Sequence, residues 1–298
     1  MNAGEGVPTG PGSSRVGNWG RWGPEDERGA LNLITEEVVA GALRLPQRGR
    51  VIPLGTEVGK KGPITGGRNA TWHLTVTVAH PTDPGRGRAE DVLNLHTHAH
   101  SHMDGLGHVW TDGQLYNGFP SSTVGRGGAG RLSISRAGGV VTRGVLLDVT
   151  GAGDRRWEIG ELITVEDLET AGRAGRVDVR AGDAVMIRTG WYDRFLDGDP
   201  VFHAGEPGLG REAADWLASR DVALVGMDNS ALEPIPARPG ANPLYVHETF
   251  LRDHGIFMLE LLDLSGLAES GAPEFLFVAA PLRIDRGLGS PVNPLAVI

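Results

Sequence analysis

The spacing of apolar residues along the chain predicts a series of short strands. Strict alternation at Trp72–Ala79 (WHLTVTVA) predicts a strand with one apolar face, and Val92–His98 is predicted to form another. Continuous apolar runs between turn residues are typical of buried strands. Such runs lie at Val51–Leu54, Gly144–Val149, Ala184–Thr189, Val222–Met227, Ile256–Leu262 and Phe275–Pro281.

Segments with helical periodicity separate these strands. Apolar positions recur three and four residues apart at Ala30–Leu45, Val165–Ala174, Arg211–Arg220 and Leu244–Asp253. Thr35 and Thr164 stand where a helix needs an N-cap, and Gly255 stands where the last helix should stop. The mixed order predicts one α/β or α+β domain over residues 18–298. Residues 1–17, rich in Gly, Pro and Ser, are predicted to be a flexible tail.

Composition narrows the possible partners. The net charge of −9, from 28 basic and 37 acidic residues, argues against a nucleic-acid or anionic-membrane partner, which would require a basic patch. No run approaches the roughly 20 apolar residues of a membrane span. The chain has no cysteine, which suits a reducing cytoplasm and excludes a thiol nucleophile. We therefore expect a cytoplasmic protein that acts on a small-molecule substrate.

A histidine cluster carries the candidate chemistry. Five of the ten histidines lie between residues 96 and 108, in LHTHAHSHMDGLGH. Imidazole and carboxylate are the ligands that Zn²⁺ and Mn²⁺ use when thiolates are missing. The alternative interpretation, a solvated histidine run on an edge strand, is a poor match to so dense a cluster with an aspartate inside it.

Backbone geometry selects the ligands within the cluster. If residues 98 to 102 were extended, their Cα atoms would lie roughly 13 Å apart, too far to share one ion without strain. A curl near His98 would bring His98, His102 and Asp104 together, and Gly105 and Gly107 would let the chain turn sharply. His108 would then return to the site and act on a bound water. His96 and His100 are predicted to play supporting roles.

The segment His98–His108 resembles the HxGTHxDxPxH signature of the cyclase family, which includes bacterial kynurenine formamidases and isatin hydrolases. The spacing of the three histidines and the aspartate agrees, whereas His100, Ser101 and Leu106 depart from the signature. Four further segments are similar to the longer, cyclase-like branch of the family. They are Trp19–Thr35, Asp112–Gly118, Gly182–Trp191 and Val225–Ser230.

This resemblance implies a fold, a ligand set and an activity. The implied fold is a swivelling β/β/α domain with a mixed sheet, assembled as a homodimer or homotetramer. The implied ligands are His98, His102 and Asp104 for one ion, with Asp104 bridging to a second ion held by His247 and Glu260. One or two Zn²⁺ or Mn²⁺ ions per subunit are expected. His108 takes the acid/base role in hydrolysis of a C–N bond in a small, aromatic carbonyl compound.

From the residues alone, the second ligand pair is less distinctive. A lone histidine such as His247 on a helix is more often structural. Glu260, inside the apolar run IFMLELL, must be paired or metal-bound if it is buried, or else face solvent from an edge strand.

Other residues are candidates for substrate contact, and other functions compete with hydrolysis. The predicted substrate-binding residues are Trp19, Trp22, Trp72, Tyr116 and Asp228. Gly125–Gly130 fits GxGxxG by letter, but no strand precedes it and no clear helix follows, so a loop is predicted. The rival functions are a metal-dependent polyketide cyclase or lyase and a non-catalytic ligand-binding relative.

Overall fold

A computed structural model describes residues 17–83, 85–151, 153 and 155–298, so the predicted tail lies outside the described residues apart from Gly17. The described chain forms a mixed α/β fold around one large sheet. Its strands are β1 Val51–Pro53, β2 Trp72–Ala79, β3 Gly87–Asn94, β4 His102–Asp104, β5 Val124–Gly125, β6 Gly128–Ala129, β7 Val140–Asp148, β8 Leu162–Ile163, β9 Ala184–Arg188, β10 Gly208–Leu209, β11 Leu224–Met227, β12 Phe257–Glu260, β13 Glu274–Ala279, β14 Gly289–Pro291 and β15 Leu295–Val297.

The helices follow the predicted caps. Thr35 caps α1 by accepting a hydrogen bond from the Val38 N–H, and Thr164 forms a capping box with Asp167 at the start of α2. The α-helices are α1 Glu36–Ala42, α2 Val165–Gly175, α3 Trp191–Leu196, α4 Arg211–Ser219, α5 Tyr245–His247 and α6 Ser265–Glu269. Single 3₁₀ turns lie at Gly29–Leu33, Tyr116–Gly118, Ser121–Thr123, Ile134–Arg136 and Pro200–His203.

The large sheet has nine strands in the order β1-β15-β13-β7-β9-β11-β12-β4-β14. The four strands β7, β9, β11 and β12 are parallel, and the remaining pairings in this sheet are antiparallel. Residues Ala184–Ile187 are all 0% exposed, which agrees with the continuous apolar runs expected of parallel strands. The prediction of an α/β fold with a mixed sheet is confirmed.

Strand register gathers polar side chains on one face at the β12–β4 edge. His102 lies directly opposite Glu260 in the antiparallel β4–β12 pair, so the two side chains share a face. Asp104 lies two residues after His102 and therefore projects from that same face, while Met103 is buried on the other. On the far side of β4, Gly289 of β14 is the partner of Asp104.

The predicted helix at Leu244–Asp253 has an unusual geometry. The α-helical turn Tyr245–His247 continues as a π-helix over Glu248–His254, and this helical segment ends at Gly255, as predicted. Gly255 has a φ of 65°, and a Cβ there would lie 2.7 Å from both the Gly29 Cα and the Tyr116 ring. This stop therefore requires glycine both for its conformation and for its close packing.

Two sequence predictions differ from the structure near the histidine cluster. β3 begins earlier, at Gly87, and ends at Asn94 rather than His98. The chain then curls through His100, which has a φ of 55°, before starting β4. The predicted loop Gly125–Gly130 includes a hairpin of two-residue strands, β5 and β6, and is not followed by an α-helix. Among the described residues, no helix combines the length and the apolar character needed to cross a bilayer.

Asp228, which follows β11, is hydrogen-bonded to the residues that directly precede α3. Its carboxylate is 2% exposed and accepts hydrogen bonds from the Thr189 N–H, the Thr189 hydroxyl and the Gly190 N–H. Burial raises the pKa of Asp228 to about 6, although these hydrogen bonds oppose the shift. The carboxyl group is therefore engaged inside the fold.

The raised pKa of Asp228 predicts a pH-dependent stability. Between its unfolded pKa of about 4 and its folded pKa of about 6, the native state holds the proton more tightly. The contribution of Asp228 to the free energy of unfolding should thus fall by roughly 3 kcal/mol as pH rises through this window. Denaturant titrations of wild type and Asp228→Asn should diverge accordingly, whereas the exposed Asp285→Asn control should track wild type. A constant difference between wild type and D228N would contradict the assignment.

Candidate metal centre

The side chains of the five predicted ligands converge, and the Asp104 carboxylate lies in the middle of the group. Asp104 Oδ1 lies 3.3 Å from His98 Nε2 and 3.5 Å from His102 Nε2, and Asp104 Oδ2 lies 3.6 Å from His247 Nε2. Glu260 completes the ring, with Oε2 3.1 Å from His102 Nε2 and Oε1 3.5 Å from His247 Nε2. Side chains from β4, β12, α5 and the loop before β4 thus point inward at each other.

These facing atoms fit a divalent cation. The Nε2 atoms of His98 and His102, both Asp104 oxygens and Glu260 Oε1 are buried without a hydrogen-bond partner among the described residues. Buried polar atoms are normally paired, and an unpaired buried carboxylate is costly. A cation among them would satisfy all of these atoms at once. The donor set is nitrogen and oxygen without thiolate, which suits Zn²⁺ or Mn²⁺.

The outward-facing nitrogens of the three imidazoles are already engaged. His102 Nδ1 lies 2.8 Å from the His100 carbonyl oxygen, to which it can only donate, so the Nε2 of the neutral ring is left as an acceptor. His98 Nδ1 lies 3.1 Å from the Thr97 hydroxyl. His247 Nδ1 contacts the Glu233 carboxylate. Such contacts fix the ring orientation of metal-binding histidines.

Glu233 clamps His247 at two points. Its Oε1 accepts the His247 backbone N–H at 2.9 Å, and its Oε2 lies 2.7 Å from His247 Nδ1. Glu233 is 1% exposed, so no solvent competes for these bonds. The clamp directs His247 Nε2 toward Asp104 and Glu260.

The described residues contain two overlapping sets of possible ligands. One is His102, Asp104 and Glu260, and the other is His98, Asp104 and His108, so Asp104 is common to both. His247 reaches Asp104 and Glu260 from α5. The number of ions and the distribution of ligands between them stay predictions.

Burial and mutual charge set the protonation of the centre. Burial lowers the pKa of His98 to about 3, which keeps its ring neutral and able to bind metal. Burial alone would raise the pKa of Asp104, but the imidazoles around it, His108 and His247 foremost, hold that pKa below its ordinary value. Burial alone would lower the pKa of His247, but Glu233 and Asp104 raise it well above its ordinary value. Asp104 is therefore a buried anion surrounded by imidazoles.

His108 lies at the accessible side of this centre. Its ring stacks on that of His98, with centroids 4.2 Å apart, and is only partly buried. The chain reaches this position through a turn in which the His108 N–H donates to the Gly105 carbonyl. Glycine is needed at 105 for close packing, because a Cβ there would lie 2.8 Å from the Leu288 carbonyl oxygen.

The aromatic residues predicted to bind substrate differ in their exposure. Tyr116 is 0% exposed and donates its hydroxyl proton to Asp26, so it belongs to the core. Trp72 lies on the exposed face of β2. Trp19 donates its indole N–H to the Arg252 carbonyl, and Trp22 stacks under the Arg21 guanidinium; both rings are partly exposed.

Sequence reasoning missed two residues that shape the centre, Glu233 and Gly289. Glu233 lies 14 positions before His247 and no local pattern marks it. Gly289 matters because a Cβ there would lie 2.5 Å from His98 Nε2. His100 supports the site through its backbone carbonyl, while its ring lies within hydrogen-bonding distance of Thr71. His96 is exposed.

The clamp predicts that Glu233→Gln weakens metal binding. The single oxygen of a carboxamide can accept a hydrogen bond from the His247 backbone N–H, which leaves the NH₂ group facing His247 Nδ1. The His247 proton should then move to Nε2, where it blocks the metal-binding lone pair. Metal affinity, measured by chelator competition, should fall by about 10- to 100-fold.

The matched control for this variant is Glu206→Gln. Glu206 is equally buried but hydrogen-bonds Ser230. Imidazole ¹⁵N shifts should report the altered His247 tautomer in E233Q alone. Equal metal affinity and unchanged shifts in E233Q would refute the positioning role.

Comparison with solved structures identifies proteins with a similar fold. The crystal structure of a novel cyclase superposes with a TM-score of 0.88 and 33% identity, covering 95% of this chain and 98% of that one. An isatin hydrolase bound to the product analogue thioisatinate superposes with a TM-score of 0.63 and 23% identity, over 90% of this chain and 97% of that one. At 23% identity, the similarity to this isatin hydrolase shows a shared fold alone.

Sequence comparison points to the same group of proteins. The isatin hydrolase of Roseibium aggregatum is 30% identical over 143 residues, which cover 46% of this chain and 53% of that protein. The aligned part of the chain thus spans about half the length of this curated relative. The family model described as "Putative cyclase" matches residues 55–234, more than half of the sequence, and the chain therefore belongs to the cyclase family.

Proposed function

We propose that this chain is a metal-dependent hydrolase that cleaves the C–N bond of an amide, formamide or lactam in a small, aromatic carbonyl compound. The observation that carries the proposal is the cluster of buried, unpaired atoms on His98, His102, Asp104 and Glu260, with His247 reaching Asp104 and Glu260 and the partly exposed His108 beside His98. One or two Zn²⁺ or Mn²⁺ ions would be held by this ring.

Each residue of the centre has a distinct task in this reaction. A bound divalent ion supplies Lewis acidity toward a carbonyl oxygen and lowers the pKa of water. Asp104 contributes a fixed negative charge, and the neutral His98 contributes a lone pair. Glu233 keeps His247 oriented, so that the geometry does not have to reorganise during the reaction.

His108 is suited to the transfer of protons. Its ring is accessible on one side and braced by His98 on the other. It takes a proton from the attacking water and passes it to the leaving nitrogen, so that the amide bond breaks without releasing a strongly basic anion. The reaction consumes one water and yields a carboxylic acid and an amine, joined in one molecule if the substrate is a lactam.

The relatives support the substrate class. The curated relative is an isatin hydrolase, and isatin is an aromatic lactam. Trp19 and Trp22 are the candidates for an aromatic contact, because their rings are partly exposed.

A cyclase or lyase reaction is the second candidate. It is favoured by the solved cyclase that matches nearly the whole chain. The same centre would polarise a ketone for carbon–carbon bond formation or dehydration. Product analysis after incubation with an aromatic lactam and, separately, with a poly-β-ketone distinguishes the two reactions.

Two substitutions separate chemistry from metal binding. His108→Ala should retain the metal and lose turnover by about 10²- to 10⁴-fold, because a positioned acid/base is removed. Asp104→Ala should lose the metal, because the shared ligand is removed. Elemental analysis and turnover of the same preparations measure both effects.

His96→Ala is the matched control, since His96 belongs to the same cluster but is exposed. It should keep both metal and activity. The proposal fails if the purified protein contains no metal and a chelator leaves its turnover unchanged.

A further inference from the structure

Residues 64–70 form a loop whose two ends are fastened to one member of the histidine cluster, His100. Before the loop, the Pro63 carbonyl accepts the His100 backbone N–H at 3.2 Å. After the loop, the Thr71 hydroxyl lies 2.7 Å from His100 Nε2, and Thr71 is 1% exposed. Since His100 stands midway between two of the five predicted ligands, the loop is held against the segment that supplies them. We call residues 64–70 the tied loop.

The packing around His100 leaves little room for the tied loop to move away. A Cβ at Gly62 would lie 2.3 Å from His100 Nδ1, so the backbone itself packs against the imidazole ring. Within the loop, the Arg68 N–H donates to the Thr65 carbonyl at 3.4 Å and closes a tight turn. The loop is therefore short, folded on itself and anchored at both ends.

Arg68 is the basic residue of the tied loop and stands three positions before Thr71. Three residues of chain span at most about 11 Å, so Arg68 cannot lie far from the histidine cluster. Its side chain is partly buried, and Nη1 donates to the Thr65 carbonyl at 3.3 Å. Within the part of the chain that the structure describes, the guanidinium has no further hydrogen bond and no carboxylate partner. Most of its five N–H donors are thus available to a ligand.

The charge of Arg68 acts on the metal centre. Burial is the main cause that lowers the pKa of His98, and the positive charge of Arg68 contributes to the same shift. Such an effect weakens with distance, which agrees with the anchoring of the tied loop beside this segment. The centre brings the carboxylates of Asp104 and Glu260 together, so an anionic group that approaches it must be met by a positive charge.

We propose that Arg68 binds a carboxylate of the substrate while the metal centre holds the carbonyl group that is hydrolysed. A guanidinium presents a rigid fork of N–H donors that matches a carboxylate, so this one residue both orients and selects such a ligand. The substrate class narrows to aromatic amides, formamides or lactams that carry a carboxylate in addition to the scissile bond. The inference deepens the proposed hydrolysis and rests on it, but its first test requires no turnover.

The first test measures the binding of aromatic carboxylates to the metal-loaded protein by isothermal titration calorimetry. Benzoate has one carboxylate, which the metal centre can bind, and the three benzenedicarboxylates place a second one at different distances. At least one dicarboxylate should bind wild type more tightly than benzoate does. In Arg68→Gln the affinity for that dicarboxylate should fall by about 10- to 100-fold, because a charge-assisted contact is lost. The affinity for benzoate should change by less than about threefold.

Two further variants separate charge from shape and from position. Arg68→Lys keeps the charge but not the fork, so it should recover part of the lost affinity. Lys60→Gln removes an exposed cation that precedes the tied loop, and it should bind both ligands as wild type does. Metal content and circular dichroism of each variant establish that the centre and the fold are intact.

The second test compares the hydrolysis of formanilide with that of its ring-carboxylated analogues. R68Q should raise KM for a carboxylated substrate and change kcat little, because the contact is made equally in the ground state and in the transition state. The KM for formanilide itself should stay the same in R68Q.

Three calorimetric results would overturn the assignment of Arg68. They are wild type that binds no dicarboxylate more tightly than benzoate, R68Q that loses the two kinds of ligand equally, and K60Q that shows the same loss as R68Q. A preserved difference between the two ligands without hydrolysis of any amide would support the carboxylate site and count against the proposed function instead.

Discussion

A buried negative charge at Asp104 is the constraint on which the rest of the centre depends. A carboxylate that is 1% exposed cannot remain ionised without compensation, and four imidazoles, those of His98, His102, His108 and His247, lower its pKa. They come from two separate parts of the chain, residues 98–108 and α5. The register of β4 with β12, the curl at His100 and the position of His247 at the end of α5 bring these groups within reach of one carboxylate.

A cation would add to this compensation. When neutral, an imidazole that donates from Nδ1, as His102 does to the His100 carbonyl, offers a lone pair at Nε2, and Glu260 adds a second carboxylate. With neutral rings these atoms would face one another as lone pairs, so the arrangement is compatible with a positive ion bound among them. The same property suits the centre to chemistry at a carbonyl, for a hydrolase and for a cyclase alike.

Much of the centre could be predicted from the sequence because its ligands are closely spaced. His98, His102 and Asp104 lie within seven residues, and a glutamate in the apolar run around Glu260 is conspicuous. Glu233 could not be predicted, because its role comes only from the approach of a distant segment. Tyr116 is predicted from the sequence to contact substrate but is fully buried, because the position of an aromatic residue near a motif carries no information on its burial. β4 was missed because three residues are too few to show a period.

The π-helix that follows His247 can absorb a change in chain length without moving this ligand residue. A π turn holds more residues than an α turn, so removal of one residue from Glu248–His254 can be absorbed by a return to ordinary helical winding. In an ideal helix each residue adds about 100° of rotation, so such a deletion would otherwise turn every later side chain away from its neighbours. His247 directly precedes the π-helix and is held by Glu233. A change in chain length within the π-helix should therefore leave the position of His247 unchanged.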